Sequence, residues 1–334
     1  MIRNDGKKER EMEYIKLKNL YDKNNLTHDY LKAERFLKTL ELRFENIDRI
    51  YNDELDNIIK YLVENNLSNI DNFIILMRYY KVIGNNDLFI HLTRYTGMLD
   101  VVENIVKRLK TLTKREVYEE IVKDYSFPYL GVSPYELPKY IDDLMNRLNE
   151  HLDDNTLKKV LTGNNHDIPE KSQLREKIEY EHSPSLEEYL KNRHARKVKE
   201  LEEHMLLNKV WFEQKITQEV LDLVKENQEI LSAKLFNNKL YMTKIPYDTV
   251  NYLSAYDEIE RKYYACHCPF VREAIFSGSP KIDPRFCYCS AGFEKFPFEV
   301  ILGTKLEVKV LESVLEGSDI CRFEIDLSNV QYKK

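Results

Sequence analysis

The first 265 residues contain no cysteine, and then five occur between positions 266 and 321. Four of them form two Cys-x-Cys pairs, Cys266-His267-Cys268 and Cys287-Tyr288-Cys289. On an extended segment residues i and i+2 face the same side, so each pair could aim two sulfurs at one point. Four thiolates at tetrahedral reach suit zinc, the leading expectation, or an iron–sulfur centre. The expected ligands are Cys266, Cys268, Cys287 and Cys289, with His267 and Glu294 as alternatives if one sulfur points away. Two other readings compete: reactive, redox-linked thiols, or small buried hydrophobes, since free cysteine is among the most buried residue types. Cys321 is in phase with Phe323 and Ile325 on a strand-like run. That phase predicts a buried side chain, or a sulfur that reaches the same site.

Charged groups flank the cysteines. Lys244 and Tyr247 bracket Pro246, Arg272 and Glu273 follow the first pair, and Glu294 and Lys295 follow the second. Lys244 and Arg272 could hold a small anionic ligand, with Glu273 or Glu294 as general base. The bland reading of each is an ion-paired surface residue. Trp211, Tyr241 and Phe270 could line a pocket or simply belong to the core. The basic run Lys191, Arg193, His194, Arg196, Lys197, Lys199 turns acidic at Glu200, which predicts a solvated helix face rather than a nucleic-acid contact. The remaining histidines, His166 among them, lack metal-ligand spacing. A glycine-rich phosphate loop, a Gly-x-Ser-x-Gly elbow and a His-Glu-x-x-His helix are all missing.

These groups must be positioned by elements that the hydrophobic pattern outlines. From about 29 to 127 the pattern is helical: Leu31, Phe36, Leu37, Leu40, Phe44 and Ile47, then Leu55, Ile58, Ile59 and Leu62, recur at spacings of three and four. Asn65-Asn66 and Gly84-Asn85-Asn86 punctuate it. Ser133-Pro134-Tyr135-Glu136 and Ser185-Leu186-Glu187-Glu188 read as capping boxes that open further helices. Strand character comes late, at 209–214, at 240–245 and in a hairpin of 306–310 with 321–327 around the turn Glu316-Gly317-Ser318-Asp319. A helix over 291–302 precedes that hairpin, with Phe293, Phe296, Val300 and Ile301 on one face and a kink expected at Pro297.

With 334 residues the chain has room for two domains, and the expected division is 1–127, all helical, and 134–334, α+β with a small antiparallel sheet. A net charge of −6 argues against nucleic-acid or anionic-membrane partners. No apolar run reaches membrane-spanning length, and the polar start Met1–Arg10 does not read as a secretory segment, so a cytoplasmic protein is expected.

The stretch Tyr264-Ala-Cys266-His-Cys268-Pro-Phe-Val-Arg-Glu-Ala, then Phe286-Cys287-Tyr-Cys289-Ser-Ala-Gly292-Phe, then Leu311-Glu-Ser-Val-Leu-Glu-Gly317 and Cys321-Arg-Phe-Glu-Ile, resembles an uncharacterised bacterial family. That family is similar to the L-2-amino-thiazoline-4-carboxylic acid hydrolase group and, more distantly, to the 4-vinyl reductase ligand-binding domain. The resemblance covers residues 260–328 and reaches back towards 150. It implies an α+β domain that binds a small molecule, pairs as a homodimer and in some members carries a structural zinc. By that resemblance the zinc cysteine before the helix maps to Cys287 or Cys289, and the one on the last strand to Cys321. Those members place a further Cys and a Glu where this chain has Ser313 and Val310. The hydrolase side implies opening of a sulfur heterocycle by an activated water or thiol. The expectation is therefore a small-molecule-binding protein with a cysteine-held zinc. A small-molecule hydrolase and a helical interaction module are the alternatives.

Overall fold

A computed structural model describes residues 2–334, with side chains from Glu11 onward. The chain is α+β and divides into two compact units. Unit 1 comprises residues up to Gly97 together with Tyr129–Ser133; unit 2 comprises Met98–Pro128 and Pro134–Lys334. The division falls at Gly97, ahead of the residue-127 boundary expected from the sequence.

Unit 1 contains helices α1 (Ile2–Lys23), α2 (Thr27–Arg43), α3 (Asn52–Glu64), α4 (Ile70–Ile83) and α5 (Asn86–Thr96). The polar N-terminal stretch is helix α1, and the side chains of residues 2–10 lie outside the described residues. Leu55, Ile58, Ile59 and Leu62 are all buried on one face of α3. On α2 the buried stripe is Tyr30, Ala33, Leu37 and Leu40. Leu31, expected in that stripe, is 56% exposed, because it lies one residue, about 100° of helix, away from Tyr30. The asparagine-rich breaks terminate and restart helices. Asn69 and Asn85 accept from the backbone of Asn72 and Leu88 as N-caps, and Gly84 ends α4 in the left-handed region at φ 75°.

Unit 2 begins with α6 (Val101–Leu112), α7 (Arg115–Val122), α8 (Leu137–His151), α9 (Asp154–Leu161), α10 (Leu174–His182) and α11 (Leu186–Leu206). Ser185 caps α11 as expected, accepting from Glu188 N. The capping box expected at Ser133–Glu136 does not form: α8 starts after it with no side-chain cap and takes Pro138 into its first turn. The expected strand over 209–214 is instead a tight turn, closed by Trp211 and Gln214 exchanging backbone hydrogen bonds of 2.9 Å. In the basic run on α11, Lys191 pairs with Glu187, Arg196 with Glu176 and Lys197 with Glu200, while Arg193 is buried over the Phe298 ring with Nε 4.0 Å from Glu176 Oε2.

Then come α12 (Gln218–Glu226), one irregular turn α13 (Glu229–Ser232), and strands β1 (Lys234–Phe236) and β2 (Lys239–Thr243). Short helices α14 (Thr249–Ser254), α15 (Glu258–Ala265) and α16 (Arg272–Ser277) lead to α17 (Tyr288–Leu302), and strands β3 (Glu307–Glu312) and β4 (Arg322–Asp326) close the unit. The antiparallel sheet has the order β1-β2-β4-β3, so the expected hairpin β3–β4 is present and β2 pairs with β4. Asn237 and Asn238, at φ 48° and 58°, supply the two left-handed positions of the β1–β2 turn. Leu240, Met242, Val308, Phe323 and Ile325 bury one sheet face against Ala291, Phe298 and Ile301 of α17 and Tyr189 and Leu190 of α11. Phe293, expected on that apolar face of α17, is 37% exposed on another side of the helix. Among the described residues, no helix is long and apolar enough to cross a membrane.

Candidate functional site: a buried thiol cluster

The helix α17 is seated first. Gly292 has no side chain, and a Cβ there would meet the carbonyl oxygen of Gly163 at 2.5 Å and Thr162 at 2.7 Å. That close approach brings Asn165 against the first turn of α17, where its Nδ2 donates to Cys289 Sγ at 3.9 Å. Cys287 ends the 3-10 turn that enters α17, so Cys287 and Cys289 lie on a helical path rather than an extended one. This corrects the extended geometry expected for the second Cys-x-Cys pair. Two residues of helix turn the side chain by about 200°, and the two sulfurs face different surroundings.

The first pair does follow an extended path. Cys266 ends α15 with φ −76° and ψ 118°. The segment beyond β2 runs beside it: Tyr247 N donates to Ala265 O, and Lys244 N donates to Cys321 O at 2.9 Å. Four chain segments therefore meet. Cys266 lies within electrostatic reach of Cys268 and Cys321, and Cys287 within reach of Cys321, Cys266 and Cys268. Cys289 is coupled to Cys268. The structure thus brings Cys321 into the group and sets Cys289 towards Asn165.

The sulfurs also lie near polar groups. Cys266 Sγ donates to Cys268 O at 4.0 Å, the backbone at Phe270, Val271 and Val314 favours thiolate at Cys268 and Cys321, and Ser313, whose hydroxyl donates to Glu316 Oε2 at 3.0 Å, lies beside Cys287. Burial outweighs these groups and raises all five thiols, Cys268 to about 12 and Cys289 to about 11, so they are protonated at neutral pH. Cys266 and Cys289 are buried; Cys268, Cys287 and Cys321 keep some accessible surface, and all five are free of disulfides. Among the described residues, no group of three or more His, Cys, Asp or Glu side chains is arranged to hold a metal ion.

Charged groups line the cluster. Lys244 Nζ donates to Ser290 Oγ at 3.0 Å, pairs with Glu294 Oε1 at 3.4 Å and lies 5.1 Å from the centre of the Phe293 ring. Arg272 is only 4% exposed, with its guanidinium carbon 4.0 Å from the centre of the Tyr247 ring, and its Nε and Nη1 have no hydrogen-bond partner. Burial raises the Glu213 carboxyl, although Arg272, Lys244 and the Tyr247 hydroxyl oppose the shift. His267 is held neutral by burial and by Lys244, its pKa lowered to about 3, with Nε2 placed 2.5 Å from Ile245 O. His166 stands edge-on to Phe293 and is lowered to about 4, first by burial and then by Lys244.

Of the expected ligand-binding residues, Lys244, Arg272 and Glu294 border the thiols, whereas Glu273 is buried and accepts from the Tyr263 hydroxyl at 3.1 Å. Lys295 turns to Glu299 and Leu306 O. Trp211 packs in a separate core and donates to Glu200, and Tyr241 donates to Glu324 across the sheet. Phe270 is buried beside Phe286. Asn165, His166, Glu213, Ser290 and Ser313 were not found from the sequence, because none sits in a recognisable spacing; only the fold brings them to the cysteines. An open cleft of about 640 Å³ elsewhere on the unit is lined by Tyr256, Arg261, Glu312 and Asp319 and by none of the cysteines.

Residues 217–332 match a family described as a family of unknown function (DUF6144). The matched stretch contains all five cysteines, Lys244 and Arg272, whereas Asn165, His166 and Glu213 precede it. No curated protein and no solved structure matches the chain.

Proposed function

We propose that unit 2 is a small-molecule-binding module organised around a thiolate-held metal ion, zinc first, in the reducing cytoplasm. One observation carries this reading: four chain segments bring all five sulfurs into one cluster, and the Asn165 amide donates to Cys289 Sγ at 3.9 Å. Donors aimed at sulfur stabilise thiolate and orient it, which is the work of outer-shell partners in metal–thiolate sites. A divalent cation supplies the charge that makes buried thiolate affordable in free-energy terms. Five thiols that pair in no disulfide are compatible with the cytoplasmic placement of this reading, in which the assembly is a homodimer, as in the resembled ligand-binding domains.

The test is metal analysis of the full chain purified anaerobically with reductant. About one equivalent of zinc, released when the thiols are blocked by a mercurial, is expected. A metal-free protein in which every thiol titrates freely would overturn the reading.

A second reading, a small-molecule hydrolase, is favoured by Glu213. A buried carboxyl whose pKa is raised by desolvation, beside Lys244 and Arg272, is a candidate general acid or base. Cobalt substitution separates the two. Weak, five-coordinate ligand-field bands that shift with added water-displacing anions indicate an open catalytic position, whereas intense tetrahedral bands indicate a closed structural one.

A further inference from the structure

We propose that Arg272 anchors the ligand, and that the ligand presents an oxyanion, a carboxylate or a phosphate group, to it. This deepens the small-molecule-binding reading above and rests on it.

The argument starts from what Arg272 lacks. It is buried, yet Nε and Nη1 have no hydrogen-bond partner, and it is in no ion pair among the described residues. A buried cation left without a counter-charge is strongly destabilising. The Tyr247 ring, 4.0 Å away, and the Tyr263 ring, 5.7 Å away, meet the cation as π surfaces. Guanidinium N–H bonds lie in the plane of the group, so stacking leaves them unsatisfied, and an acceptor in that plane is still required. Water would satisfy the N–H groups but not the charge. An oxyanion satisfies both, and its paired oxygens match the planar fork of the guanidinium.

The neighbouring charges fit this occupant. Lys244 is committed to Glu294 and Ser290, so its charge is already offset. Glu213 feels both Arg272 and Lys244 but approaches neither within ion-pair distance, and burial pushes it towards the protonated, neutral form. His267 Nε2 is engaged by Ile245 O. Arg272 is therefore the cation whose balance is incomplete. The Cys266 thiol lies within electrostatic reach of Arg272, which places the oxyanion end of the ligand next to the thiol cluster.

The experiment is calorimetric titration of the full chain with inorganic phosphate and with acetate, together with metal analysis of each variant. Saturable binding of at least one probe to the wild type is expected, with Arg272→Met weakening it about tenfold or more while leaving metal content unchanged. Glu213→Gln fixes that side chain in a neutral form and is expected to bind the probe at least as tightly as wild type, which keeps the test independent of how well the Arg272 variant folds. No binding of either probe to wild type or to E213Q overturns the proposal. Loss of metal together with anion binding in Arg272→Met also overturns it, because the partner of Arg272 is then a metal-bound thiolate. A metal-free wild type that still binds anions through Arg272 sinks the metal reading and leaves the anion site standing.

Discussion

The β-carbon that Gly292 lacks would stand 2.5 Å from the carbonyl oxygen of Gly163, a backbone atom with no freedom to swing aside. Gly292→Ala should therefore push α17 off the 162–165 segment and cost about 2–3 kcal/mol. Chemical denaturation followed by far-UV circular dichroism reads the loss. An unchanged midpoint would mean that α17 is not seated on that backbone.

Glu229 and Arg322 tie the turn before β1 to the first residue of β4, through hydrogen bonds of 2.7 and 2.8 Å. The Arg322 hydrogen bonds, with that of Thr243, hold the Glu229 carboxyl below its ordinary range against the opposing effect of burial. A carboxylate lowered in the folded state contributes stability that is fully present above its unfolded pKa, and that stability is lost as pH falls through the folded value. Glu229→Gln should cost about 2 kcal/mol at pH 7. It should also lose less stability than wild type between pH 5 and 3, roughly the window of an acid with this depressed pKa. Parallel pH slopes for the two proteins would contradict the pairing.

In unit 1, Asp56 Oδ1 receives both the Tyr95 hydroxyl at 2.5 Å and His91 Nε2 at 2.6 Å. Asp56→Asn replaces a double acceptor with a group of half the acceptor capacity and should cost about 1–2 kcal/mol. Because Asp56 belongs to unit 1, metal content and anion affinity should not change. A variant that lost metal would show that the thiol centre depends on unit 1.

Cysteine variants should separate the two members of the second pair. Cys287 faces Cys266, Cys268 and Cys321, whereas Cys289 faces Asn165 and is coupled to Cys268. Cys287→Ser and Cys321→Ser are expected to abolish zinc retention on dialysis, and Cys289→Ser to retain it. The reverse order would restore Cys289 as a ligand and exclude Cys321.

The sequence made the helices of unit 1 and the β3–β4 hairpin legible, because their apolar residues follow one local period and their ends carry Asn, Gly or Ser. It also located the thiols, since cysteine is confined to 266–321. It placed the following helix over 291–302, but α17 starts three residues earlier at Tyr288, because the Cys287-Tyr288-Cys289 pair was read as extended. The Asn237-Asn238 turn was missed for a different reason: β1 is only three residues long and carries too little alternation to register. Asn165, Glu213 and Ser313 reach the thiols only through tertiary packing, which no local spacing encodes.

The register Tyr241↔Glu324 has a consequence for the order in which the protein acquires its chemistry. The stretch between β2 and β4 holds α14 to α17 and every cysteine, so it forms one long loop that the sheet closes. That closure is non-local and waits for β4 to emerge during synthesis. Until then the thiols are dispersed on an open chain and individually available to the cell's oxidants and metal carriers. The last strand therefore acts as a latch, and a released chain truncated before residue 322 should react faster at its thiols than the finished fold.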